Sequence, residues 1–170
     1  MLKSYEGAID YTLDCLGKKD ESLLYKKYRS DFLKPKLIHF ESVCFSYNDD
    51  GKQTIKDINN AIQSIQDNGI ILIHDCLPKK IWNQIVPRIY GHWNGDVWKA
   101  IVEARTYNNI ETFTCIADHG LGVILKRKNS KILNIKNKDF KNLKFSDYYK
   151  NHKEFMNPVA YEQLKKIIQD

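Results

Sequence analysis

Apolar and polar positions in the middle of the chain follow first the pattern of a strand and then the period of a helix. Residues 37–45, LIHFESVCF, are largely apolar and aromatic and predict a strand. Residues 49–51, DDG, supply a turn and a helix-start signal. The isoleucines that follow recur at spacings of 3, 4 and 3, which predicts one buried helix face made of Ile55, Ile58, Ile62 and Ile65.

The end of this helix leads directly into a second strand. Asn68-Gly69 closes the helical pattern, and Gly69 is suited to a left-handed C-cap. Residues 70–73, IILI, form a short continuous apolar run of the kind found in buried strands. Two strands separated by one helix favour a parallel pair joined by a right-handed crossover.

The following residues predict a second helix and a hairpin. Asn94-Gly95-Asp96 is a start signal for a helix that runs from Asp96 or Val97 to about Tyr107. Residues 112–117 and 122–126 read as two strands of an antiparallel hairpin, because a short link that contains glycine joins them. The expected buried stripe of the helix consists of Val97, Trp98, Ile101 and Val102.

The last forty residues are less regular and more basic. Residues 145–156 and 159–169 predict short amphipathic helices packed on the outside. Residues 126–170 hold 12 Lys and Arg against 5 Asp and Glu, whereas residues 1–125 hold 15 against 16. A basic tail can bind nucleic acid. The lysines form no long run, however, so a solvated surface is the preferred interpretation and nucleic acid is not an expected partner.

Two ionisable groups follow the second predicted strand. His74 and Asp75 stand directly after IILI, and ligands of open α/β sheets bind at the carboxyl ends of strands. The carboxylate could coordinate a hard cation such as Mg²⁺, and the histidine could accept a proton from a substrate hydroxyl. The alternative is structural: Asp75 caps a turn and His74 packs in the sheet.

The segment HWNGDVWKA, residues 92–100, brings His92, two tryptophans and an acid to a helix N-terminus. Helix N-termini favour anions, and Trp93 could stack on a sugar or a base. The alternative is that Trp98 belongs to the core and that Asn94 or Asp96 is the N-cap.

The segment ADHGLG, residues 117–122, places Asp118 and His119 in a tight turn. They are either functional groups or turn formers, and residue type alone favours the second role. His39 alternates with apolar neighbours and is interpreted as a core histidine. The four cysteines show no CxxC spacing and are interpreted as free thiols.

Several common signatures are missing from the sequence. It contains no GxGxxG, P-loop or GxSxG motif. Its apolar runs are far shorter than the roughly 20 residues of a membrane helix. The first ten residues carry charges and no apolar core, so we expect no signal peptide, no membrane partner and a cytoplasmic location.

HDC at 74–76, WNGDVWKA at 93–100 and DHGLG at 118–122 occur in this order. Together they resemble the later half of a class I S-adenosylmethionine-dependent methyltransferase, of the type linked to glycan synthesis in bacteria. The resemblance covers about residues 28–160. It implies an α/β fold with a Rossmann-like sheet, abbreviated at its N-terminal part and ending in an antiparallel hairpin with a helical tail. The corresponding division is a domain of residues 1–130 and a basic helical tail of residues 131–170.

The resemblance also implies an activity and a set of site residues. The implied reaction is O-methylation of a hydroxyl of a sugar or polar metabolite, with S-adenosylmethionine as cofactor. Asp75 would hold Mg²⁺ together with Glu41 or orient the acceptor, and the base would be His74, His92 or His119. The cofactor-binding residues would be Glu41, Ser42 and Cys44.

An alternative remains open for the same resemblance. The family's acid-Gly-x-His segment reads Glu41-Ser42-Val43-Cys44 here, and residues 1–27 are too few for the family's first strand–helix–strand unit. The chain would then be an inactive methyltransferase-fold module that acts in binding or assembly. An abbreviated sheet leaves an open edge, so we expect a homo-oligomer or a partner chain that completes it. A metal-dependent hydrolase or isomerase built on the His74-Asp75 edge is a third possibility.

Overall fold

The structure is a computed structural model that describes residues 12–13, 36–40, 53–85, 91, 93–136 and 138–169. Six strands form one mixed sheet in the order β1-β2-β3-β5-β4-β6. Strands β1, β2 and β3 are parallel, β5 runs antiparallel to both of its neighbours, and β6 is parallel to β4. The strands are β1 Thr12–Leu13, β2 Leu37–Phe40, β3 Ile70–Ile73, β4 Glu111–Cys115, β5 Leu121–Leu125 and β6 Pro158–Val159.

Four α-helices and two short 3-10 turns surround the sheet in the described residues. They confirm the predicted α/β class, the crossover between β2 and β3, the hairpin of β4 and β5, and the two C-terminal helices. The helices are α1 Gln53–Ser64, α2 Val97–Ala104, α3 Phe145–Met156 and α4 Tyr161–Gln169, and the 3-10 turns are Ile81–Asn83 and Phe140–Asn142. None of these helices is long and apolar enough to cross a bilayer.

Strand β3 contributes side chains to a different hydrophobic core on each face of the sheet. Ile71 and Ile73 point into the larger core, which also holds the four isoleucines of the α1 pattern and the buried stripe of α2. Ile70 and Leu72 point to the opposite face, where they are half-buried and pack against a smaller core that includes Leu164 of α4. The continuous apolar run IILI is thus explained by burial on both faces.

The connection from α1 to β3 differs in detail from the sequence prediction. The left-handed residue is Asn68, with φ 60°, and not Gly69. Gly69 is instead a close-packing position, because a Cβ there would lie 2.4 Å from Cγ1 of Ile65 and 2.8 Å from the carbonyl oxygen of Gln66. Asparagine tolerates the left-handed region better than most residues, so it can occupy the position expected for glycine.

The second helix ends earlier than the predicted limit at Tyr107. It stops at Ala104, where Thr106 turns back onto Glu103. The backbone amide and the hydroxyl of Thr106 both donate to the Glu103 carbonyl, at 2.9 and 2.7 Å. A threonine whose hydroxyl bonds a nearby carbonyl competes with the helical pattern, which explains the early end.

The C-terminal segment joins both the core and the sheet. Residues Tyr148, Phe155 and Met156 of α3 belong to the larger core, together with Leu133 and Leu143 from the connection before it. The short strand β6 then pairs with β4 and adds an edge to the sheet. Residues 131–169 therefore share their hydrophobic core with the sheet and with α1 and α2.

Candidate functional site

Three segments meet at the edge of the sheet where β3 and β4 end. His74 and Asp75 follow β3, residues 116–120 form the turn between β4 and β5, and Asn94 lies just before α2. Because β3 and β4 run in the same direction on either side of β5, the end of β3 lies beside this turn. Side chains 44 positions apart in sequence are in contact there.

His74 lies between two carboxylates. Its Nε2 is 3.0 Å from Oδ2 of Asp118, and its Nδ1 is 3.4 Å from Oδ1 of Asp75. A neutral imidazole donates from one ring nitrogen and accepts at the other, and the tautomer decides which nitrogen has which role. The side chain is 35% exposed, and a ligand can therefore reach it.

Asp118 connects His74 to His119, and these three residues form one cluster with Asp75 and Asn94. Its Oδ1 is 3.5 Å from Nε2 of His119, and the rings of His74 and His119 meet edge to face with centroids 6.5 Å apart. A carboxylate beside an imidazole orients the ring and decides which nitrogen carries the proton. This arrangement is suited to accepting a proton from a hydroxyl group.

Asn94 ties the three segments together through its side-chain amide. Its Nδ2 donates to Oδ1 of Asp75 at 3.4 Å and to the backbone carbonyl of His119 at 3.3 Å. Asn94 is itself held in place, because its backbone amide and that of Gly95 donate to the carbonyl of Asn83 at 2.6 and 3.1 Å. A buried amide with fixed partners on two other segments makes the cluster rigid.

The backbone of the cluster is strained at two acidic residues. Asp75 has φ 59° and Asp118 has φ 49°, so both lie in the left-handed region. Most non-glycine residues avoid this region, and aspartate adopts it more readily than most. Such residues cluster at functional sites, where the surrounding structure holds them in place. Two such residues at one edge are consistent with a candidate site there.

Backbone hydrogen bonds hold the turn against the residues after β3. The amide of Cys76 donates to Gly120 at 2.9 Å, and that of Leu77 donates to His119 at 2.8 Å. Gly120 has φ +90°, and a Cβ there would lie 2.4 Å from Cγ of Leu77. This glycine is required by both its conformation and its packing.

Cys76 and Cys115 are free thiols, as predicted, and both are buried. Burial raises the pKa of the Cys76 thiol far above its usual value, and Sγ donates to the carbonyl of Ile73 at 3.2 Å. Burial also raises the pKa of Tyr148, which lies near Cys76. Because the thiolate is the reactive form of cysteine, Cys76 is a packing residue and not a nucleophile.

The residues of the segment 92–100 that the structure describes lie in different environments. Trp98 is fully buried, as the structural interpretation expected, and its Nε1 donates to Oε1 of Gln84 at 2.6 Å. Asp96 takes the N-cap position of α2, and its carboxylate pairs with Lys99 at 3.3 Å. Trp93 is half-buried and donates to the carbonyl of Ile85 at 2.8 Å.

The structure brings together three of the predicted site residues and does not describe four others. His74, Asp75 and His119 are gathered at one point, while their predicted roles remain predictions. Two further members of the cluster, Asn94 and Asp118, were interpreted from sequence as a helix cap and a turn former. The predicted site residues outside the described part of the chain are Glu41, Ser42, Cys44 and His92.

The described residues do not by themselves form a metal site. No group of three or more His, Cys, Asp or Glu side chains in this part of the chain is arranged to hold an ion. The neighbours of Asp75 include the imidazole of His74 and the side-chain amide of Asn94. An imidazole and an amide nitrogen make a poor set for Mg²⁺, which prefers oxygen ligands.

Comparisons with known protein families, with curated proteins and with solved structures found no match for this chain.

Proposed function

We propose that the chain is an S-adenosylmethionine-dependent methyltransferase that methylates a hydroxyl of a sugar or polar metabolite, on a Rossmann-like sheet. One observation supports this proposal above the others. HDC, WNGDVWKA and DHGLG carry the resemblance at the level of sequence, and His74, Asn94 and Asp118 of these segments belong to one cluster of contacts. The carboxyl edge of an open α/β sheet is where ligands bind, and this position of the three segments supports a site there.

The cluster contains the groups that a hydroxyl acceptor needs. When bound, S-adenosylmethionine supplies a methyl group on a positively charged sulfur. In the transfer, the acceptor oxygen bonds to the methyl carbon, the carbon–sulfur bond breaks and the hydroxyl proton leaves. The proposed acceptor of that proton is a ring nitrogen of His74 or His119, with Asp118 orienting both rings. Asp75 would accept a hydrogen bond from the substrate and hold its hydroxyl in place.

The cofactor would bind beside this cluster, and the residues expected to contact it lie outside the described part of the chain. No step above is routed through a metal. A metal contribution would need Glu41, and titrations with and without Mg²⁺ measure it directly.

The first test is calorimetric titration of the full chain with S-adenosylmethionine, with and without Mg²⁺. Saturable micromolar binding is expected. Methyl transfer to a panel of sugars and polyols should then fall about 100-fold or more in the variant that removes the base, His74→Gln or His119→Gln. Asp75→Asn should raise the KM for the acceptor while leaving the cofactor affinity unchanged.

Glu162→Gln is the matched control, because its carboxylate lies on α4 with 76% exposure and pairs with Lys165. It should leave cofactor binding and turnover unchanged. Absence of cofactor binding at millimolar concentration would contradict the proposed activity. Full turnover in both histidine variants would contradict the proposed role of the cluster.

The second candidate function is an inactive module of the same fold, used in binding or assembly. It is favoured by residues 41–44, where the glycine and histidine of the family's segment are replaced by Ser42 and Cys44. The proposed partner is a second copy of the chain or another chain that completes the abbreviated sheet at its β1 end. Light scattering after size-exclusion chromatography measures this, and a monomer at all concentrations, free of copurifying chains, would contradict it.

A further inference from the structure

A groove opens directly beside the His74–Asp118 pair, on the side of the turn that faces α3. Its walls come from three parts of the chain: the residues after β3, the turn between β4 and β5, and one face of α3. Its volume is about 490 Å³. This falls within the range of small-molecule sites, about 300–1,000 Å³. The groove is therefore matched to a single small ligand.

The floor and one wall of the groove are apolar. Met156 is fully buried beneath it, whereas Ile116 is 64% exposed and Tyr149 is 68% exposed on its walls. Large apolar side chains left this open to solvent mark a contact surface when they lie together in a concave site. An aromatic ring beside an aliphatic side chain suits the flat face of a sugar or another ring.

The rim of the groove is positively charged. Lys79, from the residues after β3, and Lys153, from α3, both line it, and both are exposed. Neither ammonium group has an ion-pair partner among the described residues. The acidic group on the groove wall, Asp118, already contacts His74 at 3.0 Å. Two lysines from separate elements therefore line the groove without a paired carboxylate among the described residues. Both ammonium groups are available to bind an anionic group of a ligand.

We infer that this groove is the acceptor site and that it takes a ring-bearing acceptor with an anionic substituent, either a carboxylate or a phosphate. The inference rests on the proposed function and specifies its substrate class. The ring would lie against Tyr149 and Ile116, and the anionic group would meet Lys79 and Lys153. Asp118, shared between the groove and the histidine cluster, would bring a hydroxyl of that ring towards His74.

The test is a nuclear magnetic resonance titration of the full chain at low salt with glucuronate, glucose 6-phosphate, glucose and inorganic phosphate. At least one of the two anionic sugars should bind about fivefold or more tightly than glucose. Comparison of the two shows whether the anionic group is a carboxylate or a phosphate. The double variant Lys79→Gln/Lys153→Gln should remove this preference, while Lys166→Gln on α4, outside the groove, should preserve it.

Tyr149→Ala separates recognition of the ring from recognition of the charge. It should weaken the binding of glucose and of the anionic sugars by a similar, several-fold factor. Equal affinities for glucose and both anionic sugars, or no binding of any sugar, would overturn the inference. Inorganic phosphate that binds as tightly as glucose 6-phosphate would overturn the ring contact.

These titrations contain no cofactor, so their outcome is separate from that of the proposed activity. Anionic sugar binding without cofactor binding would retain the groove and reject the methyltransferase. Cofactor binding without a preference for anionic sugars would retain the methyltransferase and reject this acceptor class.

Discussion

Three residues of the candidate site have positive φ, a backbone conformation that most residue types avoid. Asp75 and Asp118 both have positive φ, and Gly120 has φ +90° two positions after Asp118. The contacts of Asn94 with Asp75 and with the carbonyl of His119 explain how this strained edge is held. At the residue scale, we expect substitutions in the turn of residues 116–120 to destabilise this edge of the sheet.

Gly120→Ala should destabilise the fold by at least about 2 kcal/mol, because alanine disfavours φ +90° and its Cβ would overlap Leu77. Urea unfolding followed by circular dichroism measures this loss. The matched control is Gly91→Ala, since Gly91 is exposed and a Cβ there meets nothing within 4 Å. A similar free energy of unfolding for the two variants would contradict the role given to Gly120.

Glu111 makes a pH-dependent contribution to the free energy of unfolding. Burial alone would raise its pKa, but hydrogen bonds from Ser130 and from Arg127, whose Nε is 2.8 Å away, outweigh burial and lower the pKa below its usual 4.5. A lowered folded-state pKa stabilises the fold above the unfolded pKa, and this contribution is lost as pH falls through the folded pKa.

Glu111→Gln should therefore reduce the free energy of unfolding at neutral pH, and its difference from wild type should shrink as pH falls below about 4.5. Denaturant unfolding at a series of pH values measures this. Glu162→Gln, with its exposed carboxylate, should show little difference at any pH. A difference between Glu111→Gln and wild type that persists unchanged in acid would contradict the argument.

Helices and strands could be predicted from the sequence where a single local pattern specifies them. The isoleucine spacing of α1, the continuous run of β3 and the glycine-containing link of the hairpin each correspond to an observed element. Strand β6 was missed, because two residues beginning with a proline carry no strand pattern of their own. It exists because the residues after α3 run alongside β4 and pair with Thr114 and Cys115.

The packing of α1 against α2 and the sheet gives a prediction at this scale. Ile58→Ala should destabilise the fold by about 2–5 kcal/mol, because Ile58 is 1% exposed in the larger core. Thermal and urea unfolding measure the loss. Ile132→Ala is the control, since Ile132 is 51% exposed, and its effect should stay within about 0.5 kcal/mol. Equal effects would mean that α1 does not pack as described.

At the scale of the whole molecule, the C-terminal segment completes the fold. Tyr148, Phe155 and Met156 of α3 fill the larger core, and Leu164 of α4 covers the opposite face of the sheet. The groove proposed for the acceptor also needs α3 as one wall. The segment is basic on its surface and apolar where it meets the sheet.

Removal of residues 145–170 should abolish cooperative unfolding, because it exposes the larger core and removes a sheet edge. Removal of residues 161–170 alone should lower the melting temperature but retain a cooperative transition, since it takes only α4 from the smaller core. Calorimetry and near-ultraviolet circular dichroism distinguish these outcomes. A cooperative transition in the longer deletion would contradict the role of α3 in the core.

The sequence by itself determined the local elements and the three segments that carry candidate chemistry. Periodicity is a local property, so α1, β3 and the hairpin could be read from it, as could the presence of His74, Asp75 and His119 at segment ends. Only the tertiary structure decided that Asn94 and Asp118 complete the cluster and that Asn68 takes the left-handed position. Those outcomes depend on contacts between residues distant along the chain, such as the 44 positions from His74 to Asp118, and no local pattern specifies such contacts.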